Sequence, residues 1–222
     1  MHVEWYGQSA FRIAGGDATV VVDPFGDMSA LTNARGMKFD YPPIEGVEAD
    51  LVLVTHEHGD HNGVEAIGGD PALLRATAGR HESPVGEVLG IASEHDDAAG
   101  TQRGPNTIFA FTLDGVRVAH LGDFGQPGLR PEQAQALGQV DLVFLPVGSG
   151  PTIGPEAAAE IAGTVGARWI VPMHYRTERI SFLEPADAFL ERFEHVARLG
   201  SPAFALEELP NGRPLVVVPA AP

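Results

Sequence analysis

Leu51-Val52-Leu53-Val54-Thr55-His56-Glu57-His58-Gly59-Asp60-His61 runs an apolar strand directly into a cluster of imidazole and carboxylate groups. Side chains alternate along an extended chain, so His56 and His58 share one side if the strand continues past Thr55. Two imidazoles two residues apart on one side can grip a single metal ion. Gly59 then permits a sharp turn. Asp60 and His61 follow in a new direction, where they could grip a second ion. Imidazole and carboxylate donors suit zinc, and also manganese, iron or nickel.

Upstream of this stretch the chain reads as a meander, with strands over His2–Tyr6, Ala10–Ala14 and Ala18–Val22, punctuated by Gly7, Gly15 and Gly16. Residues 26–48 look irregular and read either as a surface loop or as a flap over a site. Downstream, Asn62–Ile67 reads as a short helix and Val85–Ala92 and Thr107–Leu113 as strands. Val116–Leu121 is expected to pair with Thr107–Leu113 through an Asp114-Gly115 hairpin. Pro131–Leu137 starts a helix on proline. Leu142–Leu145 and Arg168–Val171 read as strands around an alanine-rich helix, Pro155–Val165. Pro185–Leu199 reads as a helix with a stripe at Ala188, Phe189, Phe193 and Val196, and Leu215–Val218 as the last strand. Two sheets with helices outside, in one domain over 1–222, is the expected layering.

Composition bounds the function. The chain has 222 residues, and its 30 acidic side chains against 14 Lys and Arg give a net charge of −16. Such a surface disfavours nucleic acid and anionic membranes as partners. It leaves a small anionic substrate open, because bound metal would return positive charge to one cleft. There is no cysteine, so disulfides, thiolate metal sites and a cysteine nucleophile are ruled out. The first residues lack a basic region followed by an apolar stretch, and no apolar run approaches about 18 residues, so a cytoplasmic protein is expected. A homo-oligomer is left open.

The spacing His56-x-His58-x-Asp60-His61 after an apolar strand resembles the signature of the metallo-β-lactamase superfamily. Gly7-Gln8-Ser9-Ala10-Phe11 and Val22-Asp23-Pro24-Phe25 resemble the opening of its small ascorbate-phosphate-lactonase-like branch of metal-dependent hydrolases. Ser93-Glu94-His95-Asp96 with Arg103-Gly104-Pro105-Asn106-Thr107-Ile108, His120-Leu121-Gly122-Asp123, and Pro172-Met173-His174-Tyr175 resemble three later segments of that branch, in order. The resemblance implies an α+β fold, a four-layer αββα sandwich with the site at one edge. It implies His56, His58 and His95 around one ion, Asp60, His61 and His174 around another, and Asp123 between them. Gln8 departs from the pattern, since many relatives carry histidine there.

Asp23 is expected to orient a ligand histidine or turn amides from behind, and His120 to sit beside the metal without ligating it. His2, His81 and His195 match no segment and read as surface residues. The ions would acidify a coordinated water to near neutrality. Asp60 would orient the nucleophile and pass a proton to the leaving group. His174, or its neighbours Tyr175 and Arg176 as substrate contacts, would stabilise developing negative charge. The expected activity is hydrolysis of a small ester-like bond: a lactone, a phosphodiester or a related ester. The cofactor is one or two divalent ions, zinc first, then manganese, nickel or iron. Two other readings compete: iron-dependent redox chemistry on the same fold, and a metal-binding protein without turnover. The diiron branch typically has glutamate where this chain has His58, which weighs against the first.

Overall fold

The computed structural model describes residues 1–16 and 18–222. In chain order its strands and helices are β1 (His2–Gly7), β2 (Ala10–Gly15), β3 (Ala18–Val22), α1 (Ser29–Arg35), β4 (Val47–Glu48), β5 (Leu51–Val54), β6 (Ile67–Gly68) and β7 (Ala72–Arg75). There follow β8 (Gly79–Ser83), β9 (Gly86–Glu94), β10 (Pro105–Leu113), β11 (Val116–His120), α2 (Pro131–Leu137), β12 (Leu142–Pro146), α3 (Pro155–Thr164) and β13 (Trp169–Met173). The chain ends with α4 (Asp187–Leu190), β14 (Val196–Arg198), β15 (Ala203–Ala205) and β16 (Leu215–Val218). One sheet has the order β15-β1-β2-β3-β5-β7, and the other β14-β16-β13-β12-β11-β10-β9-β8.

The valine- and leucine-rich strands form where both faces can be buried. β3 and β5 pair in parallel, Val20 opposite Leu51 and Val22 opposite Leu53. Val20, Val22, Leu51 and Leu53 face the core shared with the second sheet. Their alternates Val21, Val52 and Val54 face outward, under Phe25, Tyr41, Ile44, Ile180 and Leu183. This two-sided burial explains why β5 reads as an unbroken apolar run. The sheets meet through Phe11 of β2 and Phe144 of β12, whose ring centroids lie 4.5 Å apart. Helices α2 and α3 cover the eight-stranded sheet with Leu137, Ala158 and Ile161. Gln133 of α2 also donates to the Ala92 carbonyl of β9 at 2.8 Å. The outer layer on the six-stranded sheet is mostly irregular chain. The β10–β11 hairpin turns at Asp114 and Gly115, both at positive φ as a tight two-residue turn requires. Among the described residues no helix is long and apolar enough to cross a membrane.

Three expected elements differ. Pro185–Leu199 is not one helix: only α4 coils, and Val196–Arg198 leaves to pair in parallel with β16. The stripe does pack, with Phe189 and Phe193 4.9 Å apart, but ladder bonds such as Val216 N–H to the His195 carbonyl at 2.9 Å outweigh helix propensity beyond it. Asn62–Ile67 holds only a 3-10 turn at Val64–Ala66, after which β6 pairs with β4. Residues 26–48 contain α1 and β4.

Phe144→Ala should cost about 3–5 kcal/mol through the cavity between the sheets, and lower Tm by about 6–20 °C in a chain of this size. Leu73→Ala, at a side chain 44% exposed on β7, should shift stability by about 0.5 kcal/mol or less. Equal shifts in thermal denaturation would contradict the packing described.

Candidate metal centre

Strand ends build the site. β3 ends at Asp23, β5 at Thr55 and His56, β9 at His95, β11 at the Leu121–Asp123 turn, and β13 at His174. The β1–β2 turn, with Gln8 at its tip, closes the same edge through a hydrogen bond from His174 N–H to the Gln8 carbonyl at 3.3 Å. Asp23 and His174 both hold left-handed backbone, φ 48° and 52°, a strain that clusters at functional sites.

Asp23 is wholly buried. Its Oδ1 accepts Thr55 N–H at 2.7 Å, and its Oδ2 accepts the Thr55 hydroxyl at 2.7 Å and His61 Nδ1 at 2.9 Å. Both of its oxygens are thereby engaged by Thr55 and His61, which fixes the His61 ring. The Thr55 hydroxyl has its one proton on Asp23, so it must accept from His56 Nδ1 at 3.1 Å. That fixes the tautomer of His56, which presents a bare Nε2, while His61, held through Nδ1 by Asp23, turns its Nε2 toward Asp123. His95 does the same by donating from Nδ1 to the Pro151 carbonyl at 3.0 Å. His120 is different. Its Nδ1 accepts Gly122 N–H at 3.1 Å, and its Nε2 donates to the Ser9 carbonyl at 2.9 Å, so neither nitrogen is free to ligate.

The bare nitrogens converge. His56 Nε2 lies 3.1 Å from His58 Nδ1, close to the spacing of about 3.3 Å that two nitrogens take on one tetrahedral zinc at 2.0–2.1 Å. Asp123 Oδ2 is 3.1 Å from Nε2 of both His95 and His174 and 3.8 Å from His56 Nε2, while its Oδ1 is 3.3 Å from His61 Nε2. His56, His58 and His95 form one group with a donor atom from each within 4.8 Å of the others, and Asp60, His61 and His174 form a second. His61 Nε2 and Asp123 Oδ1 are buried and have no hydrogen-bond partner in the protein. A buried ring nitrogen and carboxylate oxygen without partners, aimed at one space, are what a cation needs.

Charge agrees with geometry. Burial, reinforced by the charge of His61, pushes the His56 pKa down to about 3, and burial also lowers His58. Asp60 and Asp123 stay ionised: burial pushes each upward, but neighbouring histidines, His61 for Asp60 and His174 and His61 for Asp123, hold both below the usual carboxylate range. Burial lowers the His61 pKa, but Asp123, Asp60 and Asp23 together raise it well above the usual histidine range, the same attraction that would hold a cation at its Nε2. Buried carboxylates with imidazoles converging on them fit a multiply charged cation, which would compensate charge that is otherwise costly to bury.

Several supports escaped the sequence reading. Asn106, fully buried in β10, accepts Asp123 N–H at 3.1 Å and donates to the Leu121 carbonyl and the Ser93 hydroxyl, each at 2.8 Å. Its place in the Arg103–Ile108 segment, just before the apolar run Thr107–Leu113, was the available signal. Gly122 sits at φ 57° against Asn106 and the Thr55 side chain, so a Cβ there would overlap both. Gln8 Nε2 donates to Asp60 Oδ2 at 3.0 Å, which gives the departing residue a function of its own.

His58, Asp60, His95, Asp123 and His174 line a cavity of about 700 Å³. Met28, Thr32, Arg35, Met37 and Phe39 from the 26–48 segment also line it, with Phe182, Gln102, Arg103, Gly150 and Pro151. Tyr175 and Arg176 are not among the lining residues. Tyr175 is buried with its ring stacked 5.6 Å from Trp5, and Arg176 Nε donates to the Leu183 carbonyl at 2.6 Å. The reason is local: after His174 the chain turns back to pair Arg176 N–H with Glu184, away from the cavity. His2 and His195 are exposed, as expected, and His81 is half-buried on β8, outside the cluster.

A two-sheet sandwich with a histidine–aspartate cluster at its strand ends is the architecture of the metallo-β-lactamase type. The model of the beta-lactamase superfamily domain matches residues 2–174, from β1 to the last cage histidine. A "UPF0173 metal-dependent hydrolase" of Geobacillus thermodenitrificans is 31% identical over 209 residues, covering 80% of this chain and 86% of the relative. One from Thermococcus onnurineus is 30% identical, covering 79% and 84%. A Thermotoga maritima structure assigned to the Zn-dependent hydrolases of the metallo-β-lactamase superfamily aligns with TM-score 0.78 and 31% identity, covering 98% of this chain and 97% of that one. An isothiocyanate hydrolase from Delia radicum gut bacteria shares the fold alone, with TM-score 0.71 at 16% identity over 100% of this chain and 97% of its own. The chain belongs to the metallo-β-lactamase superfamily, among its metal-dependent hydrolases.

Asp23→Asn keeps the shape but weakens the hold on His61 and Thr55. Metal affinity, measured by competition with a chromogenic chelator, should fall about 10–100-fold. Unchanged affinity would remove the orienting role.

Proposed function

We propose that this chain hydrolyses a small ester-like bond, in a lactone, a phosphodiester or a related ester, with one or two divalent ions and zinc first among them. The observation that carries the reading is the convergence of donors from separate strand ends on Asp123. His56, His58 and His95 would hold one ion and Asp60, His61 and His174 a second, with Asp123 between. The zinc assignment draws on the nitrogen-rich donor set and on the Thermotoga maritima relative. Residues 1–222 are read as one such domain, and its substrate as a small molecule.

A bound ion would supply Lewis acidity, lowering the pKa of water and polarising a substrate oxygen. The chain's own groups do the rest. Asp60 is held as a carboxylate and oriented by Gln8 in the cavity lining. It can therefore take a proton from attacking water and deliver it to the leaving group. His174 Nε2 lies against Asp123, so it is read as a ligand rather than as a separate donor to substrate. Met28, Met37, Phe39 and Phe182 would give the uncharged part of a substrate an apolar surface to rest on.

A panel of lactone, phosphodiester, thioester and β-lactam substrates, run on protein reconstituted with zinc, manganese, nickel or iron, should show turnover that chelation abolishes. Asp60→Asn should lower kcat by about 10²–10⁴-fold. Asp60→Ala with His61→Ala should lower the metal count by elemental analysis. An unchanged count would sink the second group of ligands, and turnover that survives chelation would sink the proposal.

A further inference from the structure

Acidic side chains outnumber basic ones by 30 to 14 in this chain, and most of the basic ones are neutralised locally. Nine of the fourteen, among them Arg75 with Glu57 and Arg130 with Glu94, lie within ion-pair distance of a carboxylate. Arg168 lies over the Trp169 ring at 4.0 Å. Among the described residues only Arg35, Arg103, Arg117 and Arg213 have neither kind of partner, and two of these, Arg35 and Arg103, line the cavity over the cage. The carboxylates lining that cavity are Asp60 and Asp123, both in the cage. The contrast with the cleft beside β4 is sharp, since Glu4, Glu45, Glu48, Asp50 and Asp70 face a lone Arg12 there.

Both arginines are carried by built structure. Met28, Thr32 and Arg35 recur at helical spacing on the α1 side that faces the cavity, and Thr32 Oγ1 donates to the Met28 carbonyl at 2.9 Å. Arg103 ends a loop folded around the carboxylate of Asp96, next to His95. That carboxylate accepts the backbone N–H groups of Ala98, Gly100, Gln102 and Arg103 at 2.7–3.0 Å. The backbone of Arg103 is thus tied to the segment that supplies a cage histidine.

We propose that Arg35 and Arg103 select a substrate bearing a carboxylate or phosphate group besides the bond to be hydrolysed. Guanidinium groups bind either oxyanion in forked geometry. Exposed arginines without carboxylate partners retain their full attraction for an incoming anion, while the rest of the acidic surface repels it. The apolar lining of the same cavity, Met28, Met37, Phe39 and Phe182, would take the uncharged part of the same molecule. This assignment rests on the hydrolytic reading above and adds the charge of the substrate to it.

The test uses the metal-loaded protein, its metal content checked, with Arg35→Gln, Arg103→Gln and, as a control for net charge, Arg80→Gln. Matched p-nitrophenyl esters of a neutral acid and of succinic acid, with p-nitrophenyl phosphate diesters, are compared by kcat/KM. Calorimetric titration with succinate and with inorganic phosphate reads binding independently of turnover. Each cavity substitution should lower the anionic-to-neutral ratio of kcat/KM about 10–100-fold, mainly through KM, as loss of a hydrogen bond to a charged group does. It should weaken at least one of the two anions comparably, and the anion affected says whether carboxylate or phosphate is the natural group. Arg80→Gln should change neither readout. A ratio and anion affinities that do not move in Arg35→Gln and Arg103→Gln would overturn the proposal. If no ester is turned over, the hydrolytic reading fails, and the anion titrations still decide the role of the arginines.

Discussion

Asp123 is the group on which the site depends. It is wholly buried, yet a carboxylate alone in a protein interior is prohibitively costly. Histidines from β5, β9 and β13 reach it, and the Asn106 side chain fixes its backbone. The six-stranded sheet contributes His56 and the residues just after it, and the eight-stranded sheet contributes His95, Asp123 and His174. The cage therefore closes only when the two sheets are packed in register. A hydrogen bond from Thr107 N–H to the Thr55 carbonyl at 2.9 Å ties the sheets together at that point. Packing of Phe11 on Phe144 and assembly of the cage are two views of one constraint.

Much of this was legible in the sequence. The β5 run and the residues following it announced both a buried strand and a metal cluster, because two-sided burial and ligand chemistry each leave strong local signatures. Asp114-Gly115 announced its hairpin for the same reason. The strands β7, β8 and β15 were not foreseen. β8, Gly-Arg-His-Glu-Ser, is an edge strand with polar side chains, so it carries no apolar alternation to read. The segment 185–199 misled because an apolar stripe at helical spacing also suits a short helix followed by a strand that owes its form to β16.

The site was legible where chemistry demands a residue type and obscure where it demands only position. His56, His58, His61, His95 and His174 stand out as imidazoles next to strand ends. Arg35 and Arg103 do not, because nothing local distinguishes an arginine facing a cavity from a solvated one. Tyr175 and Arg176 illustrate the converse: adjacency to His174 in the chain suggested contact with substrate, but the turn after β13 directs them elsewhere. Gln8 shows that a departure from the family pattern can be compensated, since its amide reaches Asp60 and its carbonyl meets the backbone of His174.

The central claim is that these strand ends enclose metal around Asp123. Anomalous diffraction at the zinc edge, from crystals of protein purified without chelator, tests it most directly. A peak is expected about 2.0–2.1 Å from the ligating nitrogens of His56, His58 and His95, with any second peak beside Asp60, His61 and His174 and Asp123 between the two. A fully ordered cage with no anomalous peak in it at any first-row transition-metal edge, or metal bound only elsewhere, would contradict it.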